Sequence, residues 1–216
     1  MGEKDLSALR AISNYFYNTN GIYQKVCNYY AFLYRYDWHI VTEIFDKDNI
    51  KEEKVLKEFY SMLRYFDNSN IKQLCGEIAL SVIKNGAYYG YIVPSSDKIM
   101  LQELPAGYCR SRYKINGTTP AIEFNMKFFD DCFRDIGYRL RVLKMFPDEF
   151  SKAYMLYKQG KLQPDYPGDT SGSWYLLEPG SAVKFCFYNG TDVPIFANAI
   201  PAILDLDAAQ DLDRRK

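Results

Sequence analysis

The apolar residues of this chain change their spacing once, at Asn85-Gly86, and that switch constrains the fold more than any other feature. Before it they recur every three or four positions. Leu6, Leu9, Ser13 and Phe16 share a face and predict a short helix from Leu6 to Tyr17. Ile22, Val26, Tyr29, Tyr30 and Leu33 predict a second from about Gly21 to Tyr36, with Asn20 placed to cap its first turn. Val55, Leu56, Phe59, Met62, Leu63 and Phe66 form one further stripe, and Ile71, Leu74, Cys75, Ile78 and Val82 form another. Asn68-Ser69-Asn70 breaks and recaps between them, and Asn85-Gly86 stops the last. Residues 1–85 are therefore expected to be a helical part.

Past Gly86 come short β-rich runs divided by turn residues, so residues 86–200 are expected to form a β-rich part. Ala87 to Val93, Lys98 to Leu104, Tyr108 to Ile115 and Pro120 to Met126 predict an antiparallel sheet of four strands, with Asn116-Gly117-Thr118-Thr119 as a hairpin turn. Phe150, Ala153, Tyr154 and Tyr157 return to helical spacing and place an inserted helix near 148–159, opened by Pro147 and closed by Gly160. Gln163 to Ser173 reads as a loop. Trp174 to Leu177 and Ala182 to Tyr188 read as a second hairpin, turning at Glu178-Pro179-Gly180. Ile200-Pro201 opens a last helix over 201–216 that reaches Arg214-Arg215-Lys216 with no stop signal and reads as cut short, although basic residues also suit a natural helix end. The fold class is α+β.

Composition narrows the function classes. Aromatic residues reach 17%, with 20 Tyr and 14 Phe. Tyr covers apolar surface while keeping a hydroxyl for water, so such a chain either pads its core with Tyr or presents surfaces half buried against other subunits. Lys+Arg and Asp+Glu are both 27, which leaves no net positive field; wrapping of duplex DNA is not expected, and any DNA contact is expected to be weak and non-specific. No run of about 18 apolar residues occurs and Met1-Gly2-Glu3-Lys4-Asp5 lacks a signal-peptide pattern, so the chain is expected neither to span a membrane nor to be secreted. Met1-Gly2 suggests myristoylation, but Leu6 stands where that motif takes Ser or Thr. Cys27, Cys75, Cys109, Cys132 and Cys186 are odd in number and widely spaced, and read as reduced packing residues of a cytosolic protein.

Catalytic constellations are sparse. His39 is the one histidine, set in Tyr36-Asp37-Trp38-His39-Ile40, and no G-x-S-x-G, G-x-x-x-x-G-K-[ST] or G-x-G-x-x-G run accompanies it. Asp205, Asp207, Asp211 and Asp213 are the best metal candidates, because paired carboxylates can hold a divalent ion for phosphoryl chemistry. On a helix only Asp207 and Asp211 share a face, so a solvated acidic surface is the plainer reading. Asp130-Asp131 fits a helix N-terminus. Arg110, Arg112 and Lys114 alternate along a strand beside Tyr108 and Tyr113; they would either track phosphates or form the wet face of a sheet, and the second is favoured. No catalytic, cofactor or metal residues are assigned, and the chain is expected not to be an enzyme.

In order and spacing these pieces resemble the front half of a tailed-bacteriophage portal protein. Ile12-Ser13-Asn14-Tyr15-Phe16-Tyr17 through Tyr29-Tyr30-Ala31-Phe32-Leu33-Tyr34-Arg35-Tyr36-Asp37-Trp38 resembles that family's opening segment. Asn85-Gly86-Ala87-Tyr88-Tyr89-Gly90-Tyr91 through Leu104-Pro105-Ala106-Gly107-Tyr108-Cys109-Arg110 resembles the stretch where a helix ends and a strand begins, and Ile200-Pro201 to Asp211 the start of the long stem helix. The resemblance covers roughly residues 10–130 and its motifs are degenerate. It implies a structural subunit of a homo-oligomeric ring of about a dozen copies at one capsid vertex, a channel for DNA packaging and exit. By the same resemblance its partners are the large terminase, capsid and neck proteins, and its location the virion, assembled in the host cytoplasm. Family members continue into a clip, a second stem helix and a crown, none of which follows Lys216. The chain is therefore expected to be the wing part alone; the alternative is a non-viral interaction scaffold without catalysis, and a metal-dependent nuclease on the Asp205 string stands third.

Overall fold

A computed structural model describes residues 3–33, 40–41, 52–162, 172–187 and 192–214. The chain is α+β and divides into two compact units, one of Met1–Tyr88, Pro94–Met100 and Phe185–Lys216, the other of Tyr89–Val93 and Leu101–Lys184.

The first unit is helical: α1 (Glu3–Thr19), α2 (Gly21–Phe32), α3 (Glu52–Asn68), α4 (Ile71–Asn85) and α8 (Ile200–Arg214). Asn20 caps α2 as its sequence position predicts, its side-chain oxygen accepting the Tyr23 amide at 2.9 Å. The core gathers Tyr23, Cys27 and Ala31 of α2 with Ile83 of α4 and Ile200 of α8, flanked by Phe16, Phe32, Leu80 and Phe196. Burial pushes the Cys27 thiol up to about 11, so it packs as a small apolar group. The Tyr23 hydroxyl, buried with it, shares a hydrogen bond with Ser13 Oγ at 2.9 Å.

Three sequence expectations change here. Of the stripe expected to bury α4, Val82 is buried, Ile71, Leu74 and Ile78 are half buried and Cys75 is exposed; Gly76, Ser81 and Ile83, outside the stripe, are buried beside Val82. The reason is Gly76, where a Cβ would fall on the Phe32 ring: a bare backbone lets α2 approach closely, and that contact turns α4. Asn70 does not cap α4 through its side chain but ends α3 in the left-handed region, φ 47°. The cysteines are not uniformly interior, since Cys27 and Cys109 are buried but Cys75 and Cys132 are exposed.

The second unit holds most of the β structure. The strands are β1 (Ala87–Val93), β2 (Met100–Leu104), β3 (Cys109–Arg110), β4 (Lys114–Ile115), β5 (Thr119–Pro120), β6 (Glu123–Asn125), β7 (Trp174–Leu176) and β8 (Ala182–Cys186), and the chain passes between units within β1, β2 and β8. In place of one four-stranded sheet, the described residues form three small ones, ordered β2-β1-β8, β3-β6-β7 and β4-β5. β7 and β8 are not a hairpin: β7 pairs antiparallel with β6, and β8 lies beside β1. The turn at Glu178-Pro179-Gly180 is real, with Gly180 at φ 89° and the Ser181 amide donating to the Glu178 carbonyl, but it carries the chain from one sheet to another.

The Asn116-Gly117 turn is also where the sequence places it, both residues at positive φ, 51° and 73°. Four steps separate Arg110 from Lys114 on one strand, but three separate Pro120 from Glu123 on the other, so one extra residue bulges out between the two ladders. α5 (Phe128–Cys132) carries Asp130 and Asp131 in its first turn, where the sequence expects a helix N-terminus, α6 (Ile136–Leu143) has no counterpart in the sequence reading, and α7 (Asp148–Lys158) is the expected inserted helix. Phe124, Phe129 and Phe150 are fully buried; Phe124 meets Phe150 edge-on with ring centroids 5.3 Å apart, and Tyr154 meets Phe129 edge-on at 5.5 Å.

Candidate functional site

A buried ion pair lies in the second unit. Arg110 leaves β3 inward and meets Glu123 on the paired strand, Nε to Oε2 at 2.6 Å and Nη2 to Oε1 at 3.1 Å, while its guanidinium lies 3.8 Å over the Trp174 ring of β7. The Glu123 side chain is 3% exposed and that of Arg110 9%, so both charges depend on this pairing. Arg110 is therefore not part of a wet face, nor of a phosphate-tracking stripe. Strand alternation cannot hold across the bulge, and Arg112, Tyr113 and Lys114 beyond it are exposed, with Arg112 4.0 Å from Glu123.

Asp130 on α5 anchors a second cluster. It takes Arg139 of α6 at 2.7 Å, Lys158 of α7 at 2.8 Å and the Tyr154 hydroxyl at 2.8 Å, tying three helices together. Burial alone would raise its pKa, but the hydrogen bonds from Lys158 and Tyr154 and the charges of Lys158 and Arg139 outweigh it and hold the carboxyl below the usual range. Asp131, by contrast, faces solvent and accepts the Tyr108 hydroxyl at 3.3 Å. A folded-state pKa below the unfolded one stabilises the fold at pH values above the unfolded pKa, and that contribution is lost as pH falls through the folded pKa. Asp130→Asn is accordingly expected to cost about 2 kcal/mol near neutrality, by the range for a hydrogen bond to a charged group. In urea unfolding as a function of pH, the gap between wild type and variant should close once pH drops below the ordinary carboxylate range; a gap unchanged down to the acid limit contradicts the ion-pair role.

An open cleft of about 550 Å³ lies between the first turn of α7 and the β7 end, lined by Tyr91, Pro147, Asp148, Glu149, Lys152, Tyr175 and Glu178 among others. Glu149 is committed at both oxygens: Oε2 accepts the Tyr91 hydroxyl at 2.7 Å and Oε1 the Glu178 amide at 2.8 Å. Burial first, then this carboxylate, pushes the Tyr91 hydroxyl up to about 12, so it stays a phenol and donates. The pair braces the cleft. Sequence reasoning missed it because 58 positions separate the partners and nothing local marks either one.

His39 lies outside the described residues. Asp205 is exposed on α8; Asp207, Asp211 and Asp213 belong to the same helix, and their side chains lie outside the described residues. Among the described residues no three His, Cys, Asp or Glu side chains converge on a metal-sized site, and no helix is long and apolar enough to cross a membrane. Comparison with protein-family models, curated proteins and solved structures gave no match.

Proposed function

We propose that this chain is a structural subunit of a symmetric protein assembly, of the kind its portal resemblance implies: a ring at a capsid vertex through which DNA enters and leaves, resident in the virion. One observation carries the reading. The helices of the first unit leave large apolar side chains in water: Tyr15 is 64% exposed, Tyr29 63%, Tyr60 65% and Leu204 51%. On α3, whose stripe is the longest in the sequence, no described side chain is fully buried. Exposed apolar side chains in that number suit helices that other chains cover. Buried charges committed to one another favour a scaffold over a catalyst, and the large terminase, capsid and neck proteins are the proposed partners.

The genes flanking the coding sequence and a co-expression experiment test the viral part. A terminase and a capsid gene beside it, and a small fixed copy number in particles formed on co-expression with that capsid protein, are the expected results. Neither neighbour, with the chain absent from particles, points instead to a non-viral scaffold. With Mg²⁺ or Mn²⁺ and nucleic acid the chain is expected to cleave nothing; cleavage abolished by Asp207→Asn with Asp211→Asn would overturn the non-catalytic reading. Binding to DNA should be weaker than about 10⁻⁷ M at physiological salt, with a shallow salt dependence.

A further inference from the structure

β7 is an edge strand: β6 pairs with one side of it, and among the described residues no strand pairs with the other. The register fixes which groups face the open side. The Ser173 carbonyl accepts the Met126 amide at 2.8 Å and the Leu177 amide donates to the Ile122 carbonyl at 2.9 Å, so Ser173, Tyr175 and Leu177 turn their backbone groups to β6. Trp174 and Leu176, between them, turn theirs outward. The Glu178 amide, next in the outward series, goes to Glu149 Oε1 at 2.8 Å, which fits that direction. The cleft beside α7 follows this edge, because Tyr175, Leu176 and Leu177 all line it although successive side chains of a strand point to opposite faces. The Arg110 guanidinium, 3.8 Å over the Trp174 ring, holds the strand in place.

The cleft is also acidic. Asp148 and Glu178 are exposed at its rim, Glu149 takes two neutral donors, and Lys152 is the one cation among the described lining residues. A phosphate backbone would be repelled here, whereas a strand carrying a lysine or arginine meets both the outward backbone groups and the carboxylates. Residues 163–171 of this chain, which lead into β7, hold Pro164, Asp165, Pro167 and Asp169 and no cation, so they lack that chemistry. Of the chain's basic runs, Arg112 to Lys114 leads into the β4–β5 pair and Arg214 ends α8. We propose that the β7 edge receives an extended segment of another protein, carrying at least one lysine or arginine, as an added strand of the β3-β6-β7 sheet. Backbone hydrogen bonds supply the pairing, and Asp148 and Glu178 supply the preference for a cation. The site needs no second copy of this chain, so it stands apart from the assembly reading.

Fluorescence anisotropy on the full chain tests this with a fluorescein-labelled hexapeptide of alternating valine and lysine. Saturable binding is expected. It should tolerate N-methylation of alternate amides, which leaves the peptide one pairing edge, and vanish when every amide is methylated. The same peptide with glutamate for lysine should not bind. Asp148→Asn with Glu178→Gln, both exposed side chains, should weaken binding about fivefold without changing the circular dichroism spectrum. Leu176→Pro removes an outward amide, leaves Tyr175 and Leu177 their bonds to β6, and should abolish binding. If that variant does not fold, the carboxylate variant and the methylated peptides decide the matter. No saturation up to about 1 mM probe, or equal binding of the fully methylated or the glutamate peptide, overturns the proposal. So does self-association of the wild-type chain that the Asp148→Asn and Glu178→Gln variant loses, which would make a second copy the occupant.

Discussion

Replacing Glu123 by Gln is expected to destabilise the β-rich unit by about 3–5 kcal/mol, the range for breaking one partner out of a buried pair. Glutamine fills the same space, so the loss is electrostatic. Arg110, 9% exposed beneath Trp174, would keep its charge in a site that water reaches poorly, and its short Nε bond at 2.6 Å would end on a neutral oxygen. Removing both charges is the informative companion. Arg110→Met with Glu123→Leu should recover most of the stability, since the pair's Coulomb attraction repays its desolvation only in part. Arg112, the other cation near Glu123, has a side chain already 31% exposed and can turn to solvent. Urea unfolding of the single and double variants checks this; a cost below about 1 kcal/mol for Glu123→Gln would mean water reaches the pair.

Gly86→Ala should be at least as damaging, and for a reason that comparison with Gly117→Ala isolates. Both glycines have positive φ, 80° and 73°, so each alanine incurs the left-handed penalty of about 1–2 kcal/mol. At Gly117 the new methyl meets open space. At Gly86 it would run into the carbonyl of Asp192 and the backbone of Val193, which has no rotamer to move away. The same residue ends α4, its amide donating to the Val82 carbonyl at 2.8 Å, and the chain one turn back is held by the Ile195 amide on the Ile83 carbonyl. A shift there loosens Ile83 in the helical core. Gly117→Ala should yield folded protein with a modest loss, and Gly86→Ala insoluble or largely unfolded protein. Equal behaviour of the two would remove the clash from the account.

These two sites illustrate what local pattern carries and what it does not. The period switch at Gly86, the turn at Asn116-Gly117 and the helix opened by Pro147 are set by dihedral preferences within a few residues, and each is where the sequence places it. Gly86 is legible as a helix stop; that it also admits Asp192 is not, because the neighbour arrives from more than a hundred positions later. The Arg110 alternation misleads because a one-residue bulge, invisible in a strand-like sequence, changes which side chains face inward. The hairpin expected at Glu178 fails for a related reason. A tight turn fixes the chain's reversal but not which strand it then pairs with, and β7 finds β6 rather than β8. Helix α6 carries no legible signal because it is short and buries only Leu143, leaving no apolar stripe, whereas Asp130-Asp131 marks the start of α5.

The most direct test of the central claim, that this chain is a subunit built to be covered by other chains, is its state of association in solution. Sedimentation velocity from low to high micromolar protein should give a concentration-dependent shift from monomer to a single larger species of closed symmetry, and Tyr29→Ser with Tyr60→Ser should reduce it. A single monomeric boundary across that range, with hydrogen exchange protecting residues 203–206 of α8 as strongly as the α2 core, would contradict it: the exposed helices would then belong to a finished, solitary domain.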